Sequence, residues 1–116
     1  MTKKVSSIDL TDSFEKIPVK IHPDLKQGSL AVACEIAALI RDKQKKKLPC
    51  VLGLATGSTP KTLYAELVRM HKEEKLSFKN VVTFNLDEYY PIDNDALQSY
   101  NRFMRANLFD HVDINP

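Results

Sequence analysis

The sequence predicts an open α/β fold, a parallel sheet with flanking helices. Three observations carry that expectation. Cys50–Ala55 and Val81–Phe84 are short, nearly continuous apolar runs, the composition of strands in a buried parallel sheet. A segment with helical periodicity lies between them, and strand, helix, strand in that order makes a right-handed parallel crossover the expected topology. Each run then ends in a polar loop, Thr56-Gly57-Ser58-Thr59-Pro60 and Asn85-Leu86-Asp87-Glu88. The carboxyl ends of strands are where such sheets bind ligands, so the two loops together predict half of a sugar-phosphate site.

The elements follow in chain order. Residues 1–13 carry only Val5, Ile8 and Leu10 as apolar anchors and read as a loose N-terminal extension, with the α/β domain portion over 14–116. Phe14–Ile21 alternates Ile17, Val19 and Ile21 with Lys16, Pro18 and Lys20. Pro18 cannot donate to a ladder, which predicts a short or edge strand. From Pro23 to about Lys46 the period becomes helical: Leu30, Ala33, Ala37 and Ile40 form a stripe widened by Cys34, Ile36 and Leu39. Asp24 at the start and the lysines at the end suit the helix dipole. This helix should cover a sheet.

Cys50–Ala55 then reads as a strand buried on both faces. Pro60 is suited to the first helical position with Thr59 as N-cap, and Leu63, Leu67 and Met70, with Tyr64 and Val68 beside them, give the next helix its apolar face. After Val81–Phe84 and the polar Asp93-Asn94-Asp95, a last helix is predicted around Ser99–Phe109, with Tyr100, Phe103, Met104 and Leu108 on one face.

Composition narrows the function classes. Seventeen basic and fifteen acidic residues are mostly interleaved, leaving a formal charge of +2, so no basic field points to nucleic acid. The run Lys43, Lys45, Lys46, Lys47 reads as solvated cations at a helix end. Cys34 and Cys50 have neither metal nor redox spacing and read as small buried apolar residues. No apolar stretch opens the chain or approaches a membrane span, and the expected setting is cytoplasmic.

The chemistry concentrates in the two loops. Gly57 lets backbone N–H groups approach an anion, and the hydroxyls of Thr56, Ser58 and Thr59 add donors at a helix N-terminus, a plausible monophosphate cradle. It has neither the Walker nor the three-glycine dinucleotide pattern, and the same residues also serve ordinary turns and caps. Asp87 and Glu88 follow the second strand where such sheets hold catalytic groups. A carboxylate there can move a proton between adjacent sugar carbons when partial desolvation raises its pKa; the competing reading is an acidic cap on the next turn. His22 reads as a turn residue, His71 as exposed and His111 as a C-terminal cation, and none has a partner that suggests a metal site or a nucleophile pair. Tyr89 and Tyr90 read as packing residues or pocket lining.

Three stretches say more than their spacing. Leu52–Pro60 (LGLATGSTP), Leu76–Tyr89 (LSFKNVVTFNLDEY), and Ser99-Tyr100 with Phe109–Ile114 (FDHVDI) resemble the glucosamine-6-phosphate deaminase (isomerase) family over about Pro49–Pro116. The resemblance implies a Rossmann-like fold shared with phosphogluconolactonases and ribose-phosphate isomerases. It also implies conversion of glucosamine 6-phosphate and water to fructose 6-phosphate and ammonia, with no cofactor and no metal. It assigns the substrate phosphate to Thr56, Gly57, Ser58 and Thr59, and to Asp87 the role of general base between C2 and C1. Glu88, Tyr89 and Tyr90 would be neighbours of the site. Some members have Gly where Ser58 stands, which touches the detail of that contact but not its backbone part.

Family members continue into a second loop with an Asp, a His and a Glu for ring opening and into basic residues that complete the phosphate site. The chain up to Pro116 holds none of these, so by itself it is expected to be inactive. It reads as the N-terminal piece of such an enzyme; the alternative is a non-catalytic phosphosugar-binding module, a sensor or partner domain of the same fold. The first sixteen residues are too short for a helix-turn-helix. The N-terminal extension and Asp-Glu-Tyr-Tyr-Pro resemble longer family variants that carry a deacetylase-like domain. An open edge beside Val81–Phe84 would template pairing with another chain, so a homo-oligomer is expected, with the phosphosugar as small-molecule partner and neither nucleic acid nor membrane.

Overall fold

The computed structural model describes residues 8–9, 17–93 and 95–116 of the chain. In order they form β1 (Ile8–Asp9), β2 (Lys20–Ile21), α1 (Leu25–Lys45), β3 (Cys50–Leu54), α2 (Lys61–Glu74), β4 (Val81–Asn85), α3 (Tyr100–Asn107) and a 3-10 turn at Phe109–His111. Among the described residues the expected N-terminal strand is Lys20–Ile21, which pairs antiparallel with Ile8–Asp9 in a ribbon separate from the main sheet. The expected boundary between Ser13 and Phe14 lies outside the described residues.

The helix α1 begins where the sequence places it. The Asp24 carboxylate accepts the Gln27 N–H at 2.8 Å, satisfying one of the orphan donors of the first turn, and Lys43 and Lys45 occupy the last turn. Its buried line is Ser29, Ala33, Ala37 and Ile40. That line is narrower than the predicted stripe: Leu30, Cys34 and Leu39 are exposed. Small residues at Ala33 and Ala37 let the helix approach its neighbours closely, and a close approach buries a thin line rather than a broad face.

β3 and β4 run parallel, with Cys50 opposite Val81 and Leu54 opposite Asn85, and α2 is the crossover between them. Asn80 braces the amino ends of both strands. Its backbone carbonyl accepts from the Cys50 N–H at 2.8 Å, its side-chain oxygen accepts from Gln44 Nε2 at 2.9 Å, and its side-chain nitrogen donates to the Ile40 and Leu48 carbonyls. The helix α2 buries Tyr64, Leu67 and Met70 and ends on Lys75 in the left-handed region, whose N–H bonds the Met70 carbonyl.

One face of the sheet is covered and the other is not. Cys50, Leu52, Leu54 and Val81 join Ala33, Ala37, Ile40, Tyr64, Leu67, Met70, Met104 and Leu108 in a single core. The alternate positions Val51, Val82 and Phe84 are 58%, 45% and 64% exposed. The expectation of strands buried on both faces is therefore corrected for the described residues: all three helices contribute to the same core, and the opposite side stays substantially open.

Two histidines also differ from expectation. His71 is part-buried rather than exposed: its Nδ1 lies 2.6 Å from the Leu76 carbonyl and 3.6 Å from an Asp113 oxygen. Asp113 in turn accepts the Phe78 N–H and the Ser77 hydroxyl, tying the segment after the 3-10 turn to the approach of β4. Burial pushes the Asp113 carboxyl up, but these hydrogen bonds outweigh it and leave the group below its ordinary value. His111 Nε2 meets the Ala106 carbonyl at 2.7 Å, matching the predicted place at a helix C-terminus.

Candidate functional site

β3 and β4 end in register, so their two loops leave the sheet side by side. Asn85 fixes this arrangement, its side-chain N–H donating to the Leu54 carbonyl at 3.1 Å. Thr56 from the first loop, Asp87 from the second and Tyr100 from α3 line one cavity of about 220 Å³. Thr56 and Thr59 also border a larger recess of about 1140 Å³ whose far wall is built from Lys20, His22 and the start of α1.

The first loop is shaped like an anion cradle. Gly57 has φ +106, a conformation side chains resist. A Cβ built there would meet no atom within 4 Å, so backbone geometry and not space demands the glycine. The N–H groups of Gly57, Ser58 and Thr59 find no acceptor among the described residues, and all three residues are exposed. The cap of α2 is Pro60 rather than Thr59: the Pro60 carbonyl accepts the first helical bond, from Tyr64 N–H at 2.9 Å, and its missing N–H leaves no donor to satisfy. Thr59 is thereby released from capping.

A residue that sequence reasoning treated only as apolar holds this loop from below. The buried Tyr64 hydroxyl accepts the Ala55 N–H at 3.1 Å and donates to the Ala55 carbonyl, while its ring packs edge-on against Phe103 of α3. Burial pushes the Tyr64 hydroxyl above its ordinary pKa, against the opposing effect of the Ala55 bond.

In the second loop the two adjacent carboxylates divide. Asp87 is exposed and accepts no hydrogen bond among the described residues, so the desolvation expected of a base is not supplied by them. Glu88 is saturated: its oxygens accept N–H bonds from Tyr89, Tyr100 and Asn101 at 2.9 to 3.0 Å and the Ser99 hydroxyl at 3.0 Å. These donors, Tyr100 N–H foremost, hold its carboxyl down from 4.5 to about 2. The acidic-cap reading thus describes Glu88 and not Asp87. Tyr89 is exposed and its ring lies 5.1 Å from that of Tyr100, with the hydroxyls 3.4 Å apart. Tyr90 is exposed beyond them.

This geometry can be set beside known proteins. The family model for glucosamine-6-phosphate isomerases and 6-phosphogluconolactonases matches residues 23–116. The chain belongs to that family. It is 50% identical over 102 residues to a glucosamine-6-phosphate deaminase-like protein of Bacteroides thetaiotaomicron, covering 88% of this chain and 15% of that protein. It is 50% identical over 84 residues to the glucosamine-6-phosphate deaminase of Mycoplasma mycoides subsp. mycoides, covering 72% and 34%. A solved structure of a monomeric glucosamine-6-phosphate deaminase of the NagB superfamily superposes with a TM-score of 0.74 at 40% identity, covering 80% of this chain and 37% of that one.

The family chain therefore spans between about a seventh and somewhat over a third of the length of these relatives. Its Rossmann-like α/β character follows from the same superposition. Among the described residues no helix is long and apolar enough to cross a membrane.

Proposed function

We propose that this chain is the N-terminal portion of an aminosugar-phosphate isomerase/deaminase, the part that holds the substrate phosphate and presents the base. The observation that supports it is one cavity lined by Thr56, Asp87 and Tyr100, next to a Gly57–Thr59 loop whose N–H groups, like the Asp87 carboxylate, have no partner among the described residues. The phosphate sits on the cradle N–H groups, where the α2 N-terminus favours an anion. Asp87 faces the sugar carbons beyond and carries the proton between C2 and C1, isomerising the aminosugar before ammonia leaves. Substrate and further polypeptide supply the desolvation this carboxylate lacks in the described residues. The 220 Å³ cavity is smaller than the ~300–1,000 Å³ of ordinary small-molecule sites, in keeping with one wall of a site.

A sensor of the same fold would need the cradle but no base, and the exposed Asp87, which accepts no hydrogen bond among the described residues, favours the enzyme. Both cysteines are free, which fits a cytoplasmic setting.

The test is calorimetric titration of the chain with glucosamine 6-phosphate, beside the Asp87→Asn variant in a chain extended to family length. The cradle reading expects binding that Ser58→Asp with Thr59→Asp abolishes. The base reading expects Asp87→Asn to end ammonia release while affinity stays within a few-fold. Binding indifferent to the loop charges overturns the cradle, and retained turnover overturns Asp87 as base.

A further inference from the structure

The candidate site is made from three separate pieces of chain: the loop after β3, the loop after β4 and the first turn of α3. Something must keep them in one arrangement, and the sheet reaches only the first two, through Asn85 and Leu54. The first turn of α3 is held by Glu88. One carboxylate oxygen accepts from Tyr89 and Tyr100 N–H, and the other accepts from Asn101 N–H and the Ser99 hydroxyl. Ser99 is 1% exposed and accepts in turn from the Arg102 N–H. A single side chain thus closes the excursion between β4 and α3 on itself.

The consequence falls on Tyr100. Its N–H is fixed by Glu88, and its side chain lines the same cavity as Thr56 and Asp87, with its hydroxyl 3.4 Å from that of Tyr89. We propose that Glu88 is a positioning residue of this site: with its lone pairs committed to the Tyr89, Tyr100 and Asn101 N–H groups and the Ser99 hydroxyl it moves no proton, and it acts through Tyr100, setting the α3 turn beside Thr56 and leaving Asp87 unencumbered. The two neighbouring acids then have complementary duties, one structural and saturated, the other free to react. This rests on the reading of the Thr56 loop and Asp87 as one site.

An ordinary helix cap would stabilise α3 without any effect at Thr56, and the experiment separates the two. In the chain labelled with ¹³C-tyrosine, NMR follows each hydroxyl through its titration. The Tyr89 hydroxyl bond holds Tyr100 above the ordinary 10.0, and burial does the same for Tyr64, which serves as the internal control of folding. In Glu88→Gln the expected result is that Tyr100 returns toward its ordinary value and the Thr56 methyl resonance moves, while Tyr64 keeps its raised value. A Tyr100 titration and a Thr56 resonance both unchanged in that variant overturn the proposal.

Should Glu88→Gln also lose the Tyr64 signature, Glu88→Asp decides, since it keeps a carboxylate at the turn with a shorter reach. An intermediate Tyr100 value with Tyr64 retained supports the positioning role, and an unaltered Tyr100 overturns it. Titration of the same samples with glucosamine 6-phosphate is expected to show affinity about three- to tenfold weaker in Glu88→Gln, about one kcal/mol. Absence of binding in the unsubstituted chain would count against the phosphosugar reading alone, because the tyrosine and Thr56 signals judge Glu88 without ligand.

Discussion

The two faces of the β3–β4 sheet carry similar side chains and meet different fates. On one, Cys50, Leu52, Leu54 and Val81 pack beneath three helices; on the other, Val51, Val82 and Phe84 are exposed. The difference teaches that an apolar strand reports what it is built to bury, whereas burial itself depends on which helices the described chain contributes. The candidate site sits at the end of this asymmetric sheet, so its floor is firm where the covered face supports it.

The covered face should therefore be the sensitive one. Leu67, fully buried between α2 and the sheet, gives the largest expected effect: Leu67→Ala should lower unfolding free energy by about 2–5 kcal/mol, the usual range for a core truncation that leaves a cavity. Urea unfolding followed by circular dichroism measures it. A loss no greater than that of an exposed substitution would mean that this core is not closely packed. Next comes Tyr64→Phe, which keeps the ring against Phe103 and deletes only the hydroxyl that grips Ala55. A cost of about 1 kcal/mol is expected for a buried hydrogen bond, together with faster exchange at the Ala55 amide, which loses its acceptor. Unaltered exchange there would show that the Tyr64 hydroxyl does not hold this amide.

Much of this was legible beforehand, for reasons that particular residues make plain. The helices α1, α2 and α3 follow from helical periodicity, with Asp24 and the lysines marking the ends of α1, and the strands β3 and β4 from their continuous apolar runs, because these signals act within a few residues of where they stand. What escaped depends on residues brought from afar. His71 is engaged because Asp113 returns beside it. Asp87 and Glu88 could not be told apart while the α3 turn that saturates Glu88 lay eleven to thirteen residues away. The open sheet face was invisible because Val51 and Leu52 read identically until the covering helices are in place. Tyr100 was visible as a residue in a motif, but its place beside Thr56 in one cavity was not.

The division between the two acids makes a pH prediction. The folded-state pKa of Glu88 is depressed from 4.5 to about 2, so its contribution is fully present above about 4.5 and is lost as pH falls through about 2. Asp95, held down by Arg105, and Asp113 act in the same direction. Acid unfolding of Glu88→Gln should therefore show a weaker decline of stability between pH 4.5 and 2 than the unsubstituted chain. The change should be modest, because the group is exposed and screened. Parallel acid limbs in the two proteins would show that Glu88 titrates alike in folded and unfolded states.

The smallest effect on stability is expected on the open face, where a different quantity should change. Val82→Thr with Phe84→Thr places β-branched residues at both positions of β4, and surface substitutions of this kind fall within about 0.5 kcal/mol. Yet Val51, Val82 and Phe84 form an apolar surface beside β4, which has no second neighbour among the described residues, and an unpaired edge invites another strand. The chain by itself should sediment with a concentration-dependent mass, and the double variant should shift that equilibrium toward monomer while its denaturation midpoint barely moves. A chain that sediments as a monodisperse monomer at all concentrations would mean that exposed apolar area on this face is too small to hold a second copy. The contrast between the faces would then be one of packing alone.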